Sequence, residues 1–327
     1  MGPKYRPELD GLRAVAAFAV LLFHVQVPGF WGGSRGLDIF FVLSGYLVTG
    51  IIWRELAQTG RLHFGAFLKR RFLRLAPALY MVIAANLILT PLLTPQISRY
   101  VWQDALYAAT YLRAYASYPQ NAQSVIAHTW SLSIEMQFYL LWPLLLIGAH
   151  RLGRRWTATL CVVAWAVLTG WRLRLDAAGA SYAEIYFPPH MHVTGLLLGS
   201  AMALAPLRFR FGWLGLPMLG LLICSTDAPA LGVPLAELST VLVLCSPPAF
   251  LGLAPLAFLG RISYGIYLWH FPLWHWLGEP LGWPGAAFVA PLSVALGALS
   301  FRFIEQPLMR WRRAEPNASA LRAPSSA

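Results

Sequence analysis

Long apolar stretches recur along the whole chain, separated by short segments rich in proline, glycine and charged residues. A helix needs about 20 mostly apolar residues to cross the hydrocarbon core of a bilayer. The pattern therefore predicts an all-α, polytopic helical bundle with about ten membrane-spanning helices. The predicted spans are 12–29, 36–53, 72–93, 129–149, 156–172, 188–206, 211–226, 229–246, 262–277 and 284–303.

The composition indicates that lipid surrounds most of this chain. Hydrophobic residues make up 58% of the 327 residues and charged residues only 12%. A soluble domain carries about 25% charged residues. So few charges cannot cover a water-soluble fold of this size, which excludes a soluble enzyme, a disordered chain and a coiled coil.

The formal net charge of +12 is typical either of nucleic-acid binding or of a membrane protein with basic cytoplasmic loops. Most of the 25 Lys and Arg residues lie in alternate connections between the predicted spans. This distribution places both termini in the cytoplasm and gives no support to a nucleic-acid partner. We therefore expect a multi-pass protein of the cytoplasmic (inner) membrane. Residues 1–308 would form one transmembrane domain and residues 309–327 a basic, disordered cytoplasmic tail.

Ionisable residues inside predicted spans are the candidate functional groups, because such groups are costly in lipid and usually face a cavity or a partner. Arg13 and His24 are eleven residues apart, which places both on one face of the first helix. Asp10 lies three residues before Arg13 and can pair with it. Two carboxylates, Asp38 and Glu135, are expected at the depth of His24, and either could orient the imidazole as a general base.

Glu135 is the favoured partner of His24, because Asp38 can instead cap its own helix or pair with Arg35. The segment 69–74, with the sequence KRRFLR, is predicted as a cytoplasmic loop. Its cations suit phosphate groups, although the charge alone favours topology and lipid contact as its explanation. Tyr264, Tyr267 and His270 recur every third residue and line either a polar channel or a structural cluster.

Metal binding is not expected. The three cysteines fall in apolar runs, and none has the spacing of a zinc site. His190 and His192 lie close together in the sequence, but a metal site there would need further ligands.

Several segments together resemble the membrane acyltransferase-3 family. They are YRPELDGLRAVAAFAVLLFHV, GLDIFFVLSGYLVTG, KRRFLRLAPAL, HTWSLSIEMQFY, ISYGIYLWHFPL and FIEQPL, in family order and covering residues 5–308. The chain departs from the family pattern at Met136, where many members have a second acid. It departs again at His192 and Thr194, which stand roughly where members often carry Arg and Asp.

The resemblance implies a membrane O-acyltransferase. Such an enzyme moves an acyl group, commonly acetyl, from cytoplasmic acyl-CoA to a hydroxyl of a cell-surface saccharide or similar acceptor. Acyl-CoA is then a substrate, and no tightly bound cofactor is expected. The expected catalytic residues are His24, Glu135 and Arg13, and the expected donor-binding residues are Arg70, Arg71 and Arg74. The supporting polar path would contain Asp10, Asp38, Ser44, Trp130, Ser131, Ser133, Tyr264, Tyr267 and His270.

Two other hypotheses remain open at this point. A transporter or flippase of an acyl or saccharide species would also use broken helices and polar groups near the membrane midplane. A scaffold within an envelope assembly would need none of these polar residues for chemistry.

Overall fold

The computed structural model describes residues 5–116, 124–225 and 228–309. Within these ranges the chain is helical and contains no β-strand, which confirms the all-α prediction. The predicted tail lies outside the described residues, apart from its first residue, Met309.

The α-helices of the described residues are α1 (Pro7–His24), α2 (Gly36–Thr59), α3 (Phe64–Leu93), α4 (Val101–Ala109), α5 (Trp130–Ala149), α6 (Arg154–Ala177), α7 (Tyr182–Tyr186), α8 (Pro189–Leu204), α9 (Gly215–Cys224), α10 (Pro229–Cys245), α11 (Ala254–Arg261), α12 (Ser263–Leu273) and α13 (Ala286–Ser300). Short 3-10 turns connect many of them. A π-helical turn over Trp274–Gly278 extends α12, and a second over Phe301–Glu305 extends α13.

Every apolar segment predicted as a span overlaps one of the helices of the described residues, although several boundaries differ. Five helical stretches of the described residues are long and apolar enough to cross a membrane by themselves. They are Gly33–Thr59, Phe64–Leu93, Ala127–Leu152, Arg154–Ala177 and Trp283–Met309. The total of about ten spans and the cytoplasmic position of the termini stay predictions.

The basic segment 69–74 is not a loop, as the sequence predicted, but part of helix α3. Lys, Arg and Leu are good helix formers, and the helix continues through Pro77 and Pro91 to Leu93. Residues three apart on a helix share a face. Arg71 and Arg74 therefore lie on one side of α3, while the Arg70 guanidinium lies 3.8 Å from the Glu55 carboxylate.

Helix α1 ends earlier than predicted. The first span was expected to continue to Gly29, but His24 is the last helical residue. Gln26 and Gly29 then adopt positive φ angles of 57° and 90°, so the chain turns directly after His24. His24 therefore lies at the end of α1, directly before this turn.

Close helix packing brings α2 against α8. A Cβ atom on Gly45 would lie 2.0 Å from the Leu196 carbonyl oxygen, and one on Gly199 would lie 2.0 Å from the Val42 carbonyl oxygen. Only glycine permits such an approach of two backbones, which is how helices commonly associate in membranes. Helix α2 is thereby held at a fixed height beside α8, with its other side turned to α1 and α5.

Candidate active site

A cavity lined by arginine and tyrosine side chains lies where α1, α2, α3, α5 and α12 meet. Its empty volume, with the space at its mouth included, is about 790 Å³. We call it the arginine cavity. Its polar lining consists of Arg13, Ser44, Arg71, Arg74, Ser131, Glu135, Tyr139, Ser263, Tyr264 and Tyr267. The structure thus brings together the predicted cations of α1 and α3, which are far apart in sequence.

Glu135 is the centre of a hydrogen-bonded network in this cavity. The Ser44 hydroxyl donates to its carboxylate over 2.7 Å, and the Tyr139 hydroxyl donates to the same oxygen. The Arg71 guanidinium lies 5.3 Å from the centre of the Tyr139 ring, within range of a cation–π interaction. One carboxylate therefore faces a wall that carries several guanidinium groups.

Arg13 lines the arginine cavity from α1. Its Nε atom donates to the Ser263 hydroxyl over 3.4 Å, and its guanidinium lies 5.8 Å from the centre of the Phe40 ring. The predicted pairing of Arg13 with Asp10 is wrong. Asp10 lies in the first turn of α1, close to the residues that precede the helix. Its carboxylate therefore accepts a hydrogen bond from the Tyr5 hydroxyl over 2.7 Å instead.

A second cavity, lined by histidines and aromatic rings, surrounds the end of α1. We call it the histidine cavity; its empty volume, including the space at its mouth, is about 1030 Å³. Its polar lining residues are His24, Gln26, His128, His275 and Glu279, and its aromatic ones are Phe23, Trp130, Phe187, Phe271 and Trp274. Since His24 is eleven residues beyond Arg13 on α1, the two cavities are displaced by about 16 Å along that helix.

The predicted contact between His24 and Glu135 is wrong. His24 Nδ1 lies 2.9 Å from Nε2 of His270, and no carboxylate of the described residues hydrogen-bonds to it. His24 lines the same cavity as His128 and Trp130. Glu135 lies five residues further along α5 than Trp130, about 7.5 Å along the helix axis. The early end of α1 produces this difference in depth.

Asp38, the other candidate carboxylate, belongs to a separate buried cluster. It lies 3.6 Å from Arg35 and 3.4 Å from Nδ1 of His192. Its pairing with Arg35 is one of the alternatives that the sequence left open. Trp130 contacts this cluster through its ring, 5.0 Å from that of His192, and faces the histidine cavity with its other side.

Tyr267 and Ser131 form a thin partition between the two cavities. Their hydroxyl groups lie 2.7 Å apart, and the Tyr267 hydroxyl donates to the His128 carbonyl over 2.6 Å. Both residues line the arginine cavity, while the His128 and His270 rings lie 5.1 and 5.6 Å from the Tyr267 ring. One layer of side chains therefore separates the arginine cavity from the histidine cluster.

Two further predicted residues, Arg70 and Ser133, lie outside this arrangement. Arg70 is half-exposed and lies 3.8 Å from Glu55, away from the arginine cavity. Ser133 accepts a hydrogen bond from the Ala114 amide over 3.3 Å and supports the segment after α4.

Tyr264 lines the arginine cavity, but its hydroxyl donates to the Leu75 carbonyl over 2.8 Å. It is thereby fixed against α3.

Residues of the site that the sequence did not single out include His128, Tyr139, Ser263, His275 and Glu279. Tyr139 follows Glu135 by four residues, the spacing of neighbours on a helix face. His275 pairs with Glu279 over 3.0 Å at the same spacing. His128 precedes α5 in a 3-10 turn, so helical periodicity alone does not place it.

Outside the apolar spans, a buried ion pair fixes the segment that follows α3. Arg113 lies 2.9 Å from the Asp104 carboxylate. Burial raises the pKa of Asp104 above its usual value, and the nearby Arg113 guanidinium counteracts part of that rise. Within the described ranges, no group of three or more His, Cys, Asp or Glu side chains could hold a metal ion.

Comparison with known proteins identifies related sequences over nearly the whole chain. A family model described as an acyltransferase domain matches residues 6–302. The chain is 29% identical to the peptidoglycan O-acetyltransferase OatA of Listeria monocytogenes, over 94% of this chain and 56% of that protein. It is 28% identical to the O-acetyltransferase OatA of Staphylococcus aureus, over 94% of this chain and 58% of that protein.

The chain thus spans a little more than half of the length of these curated relatives. No solved structure matches it.

Proposed function

Because the chain belongs to the acyltransferase domain family, whose model covers residues 6–302, we propose that it transfers an acyl group from acyl-coenzyme A to a hydroxyl of a cell-envelope saccharide. The pair of cavities separated by Tyr267 and Ser131 carries this proposal. One cavity is cationic and the other is lined by imidazoles and aromatic rings. The names of the relatives support acetyl as the acyl group and a peptidoglycan-type saccharide as the acceptor.

The arginine cavity is the proposed donor side. Coenzyme A carries several phosphate groups, which guanidinium groups bind through charge-assisted, often bidentate hydrogen bonds. Arg13, Arg71 and Arg74 line the cavity and outnumber its one carboxylate, Glu135. The bias of basic residues toward the cytoplasm supports entry of the donor from that side of the cytoplasmic membrane. Arg70 is left out of this proposal, because it pairs with Glu55 instead.

The histidine cavity is the proposed acceptor side. Carbohydrate sites combine aromatic surfaces with a few polar groups that fix orientation, and Trp130, Phe271, His128 and Glu279 supply both. In the proposed step, His24 removes the proton of the acceptor hydroxyl while its oxygen attacks the thioester carbonyl carbon. The C–S bond breaks, an ester forms, and the proton passes to the leaving coenzyme A thiolate. General-base catalysis of this kind contributes about 10²–10⁴-fold.

The experiment that tests the proposed function uses the purified full chain in detergent. It is incubated with radiolabelled acetyl-CoA and chitotetraose, an oligomer of N-acetylglucosamine. We expect labelled, alkali-sensitive O-acetyl ester on the saccharide, in parallel with release of free coenzyme A. The His24→Gln variant serves as the matched control and should make no ester.

Two results would contradict the proposal. If acetyl-CoA crosses a liposome membrane intact while no ester forms, the chain is a transporter. If His24→Gln acetylates chitotetraose at the normal rate, His24 is not the base.

A further inference from the structure

His24 and His270 form a direct contact between the end of α1 and the middle of α12. Nδ1 of His24 lies 2.9 Å from Nε2 of His270, and the ring centres are 5.1 Å apart. His270 is completely buried. A hydrogen bond of this length needs a proton on one of the two nitrogens and a lone pair on the other.

The second nitrogen of His270 decides which atom carries the proton. Nδ1 of His270 lies 2.7 Å from the Tyr267 carbonyl oxygen and 3.3 Å from that of Ile266. A carbonyl oxygen can only accept. Nδ1 of His270 must therefore be protonated.

A neutral imidazole carries only one proton, so Nε2 of His270 is an acceptor. Burial without a paired carboxylate disfavours the cationic form of the ring. The carboxylate that lines the histidine cavity among the described residues, Glu279, pairs with His275. The proton of the shared hydrogen bond consequently lies on Nδ1 of His24, and Nε2 of His24 keeps its lone pair.

We propose that His270 is a positioning residue that holds His24 in the Nδ1-protonated tautomer, with Nε2 available as the base. The inference rests on the proposed function, in which His24 is the general base. Tyr267 contributes through its backbone carbonyl, which orients His270. Two hydrogen bonds in series connect the Tyr267 carbonyl to His270 and His270 to His24. They orient the His24 ring, as a carboxylate does in other histidine-dependent enzymes.

The same arrangement supports the charge that His24 acquires. When Nε2 of His24 takes a proton, its Nδ1–H donates to Nε2 of His270 more strongly, because a cationic donor makes a shorter and stronger bond. Hydrogen-bonded chains polarise one another in a site of low dielectric constant. His270 thus stabilises the cation without itself touching the acceptor.

Two amide variants separate this role from simple packing. In His270→Gln, the amide oxygen reaches the place of Nε2 and can still accept from His24. In His270→Asn, the shorter amide keeps a donor beside the Tyr267 carbonyl but does not reach His24. His190→Gln, an exposed position on α8, serves as a control for the loss of a histidine.

The tautomer of His24 is measured by nitrogen NMR on the full chain in nanodiscs, with isotope-labelled histidine. The His24 signals are identified by their absence in His24→Gln. We expect the Nδ1-protonated form in the wild type, in His190→Gln and in His270→Gln. In His270→Asn we expect the Nε2-protonated form, which an imidazole prefers in water.

Turnover of acetyl-CoA with chitotetraose is measured on the same samples. We expect kcat to fall by about 10²–10⁴-fold in His270→Asn, the range of general-base catalysis, and to recover largely in His270→Gln. Binding of acetyl-CoA should be unchanged in both variants, which also verifies that they are folded.

An Nε2-protonated His24 in the wild type would overturn the inference, as would an unchanged tautomer or an unchanged kcat in His270→Asn. Failure of the proposed function gives a different pattern. The tautomer would then follow His270 as expected, while the wild type would form no ester.

Discussion

The hydroxyl groups of Tyr267 and Ser131 lie 2.7 Å apart in the layer of side chains between the arginine cavity and the histidine cluster. Tyr267 comes from α12 and Ser131 from the first turn of α5, so their contact joins two helices that are distant in sequence. In the proposed reaction, the acyl group passes this point to reach His24 from the donor side. The partition is therefore the part of the fold on which the proposed division into donor and acceptor sides depends.

Replacing Tyr267 with Phe should destabilise the protein. The change removes the hydrogen bonds to Ser131 and to the His128 carbonyl and leaves both groups buried without that partner, which costs about 1–3 kcal/mol. The thermal unfolding midpoint in detergent should fall accordingly. Tyr80→Phe is the matched control, since the Tyr80 ring is exposed and its bond to the Ala109 carbonyl is long, at 3.3 Å. Equal midpoints for the two variants would show that the partition contributes nothing to stability.

Arg71 and Arg70 should differ in their effect on the donor, although they are neighbours in sequence. Arg71→Gln removes a guanidinium from the arginine cavity, and a lost hydrogen bond to a charged group costs about 1.5–3 kcal/mol. The KM for acetyl-CoA should therefore rise by about 10- to 100-fold. Arg70→Gln should leave KM nearly unchanged, because Arg70 pairs with Glu55 outside the cavity. A larger effect at Arg70 than at Arg71 would contradict the assignment of this cavity to the donor.

Glu135→Gln should leave the pH dependence of kcat unchanged. In the structure Glu135 accepts from Ser44 and Tyr139 and has no contact with His24. Losing its charged hydrogen bonds should destabilise the fold by about 1.5–3 kcal/mol, which thermal unfolding will detect. The midpoint of the pH–kcat profile, which reports the base, should stay where it is. If the midpoint moves, Glu135 acts on His24, and the hypothesis that this carboxylate orients His24 regains support.

Replacing Gly45 with Ala should lower the stability of the fold, whereas the same change at Gly50, in the same helix, should not. Gly→Ala in a helix normally stabilises by about 0.5–1 kcal/mol. At Gly45 the added Cβ would lie 2.0 Å from the Leu196 carbonyl oxygen, whereas nothing lies within 4 Å of a Cβ at Gly50. Gly45→Ala should therefore lose about 1–3 kcal/mol through overpacking, and Gly50→Ala should be neutral or stabilising. Denaturation in detergent compares the two, and equal losses would refute the close packing of α2 on α8.

The sequence predicted the elements of the fold well, because apolar runs bounded by Pro and Gly mark helices clearly. Trp130–Ala149 differs from its predicted span by one residue at its start. The resemblance to an acyltransferase family is confirmed by the match over residues 6–302. The resemblance implied a catalytic role for Arg13 and donor binding by Arg70, Arg71 and Arg74. The structure places Arg13, Arg71 and Arg74 in one cavity and Arg70 beside Glu55, outside it.

The contacts of His24 could not be predicted in the same way. Depth was counted from span boundaries, and the end of α1 at His24 rather than Gly29 shifts the ring by several ångströms relative to Glu135. His128 was missed because it lies in a 3-10 turn before α5, where periodicity gives no information. The charges of segment 69–74 predict an exposed loop, whereas its residues favour a helix and belong to α3.

The central claim is that the arginine cavity takes the donor and the histidine cavity takes the acceptor. Its most direct test asks whether the two substrates are used from opposite sides of a membrane. The wild-type chain is reconstituted in liposomes, and acetyl-CoA, which does not cross lipid, is added outside only. Chitotetraose is either trapped inside or added outside, and its O-acetylation is measured by mass spectrometry. The two-cavity account predicts ester on the trapped saccharide, little on the external one, and none in either case with His24→Gln. Acetylation of external chitotetraose at the same rate as the trapped saccharide would contradict it.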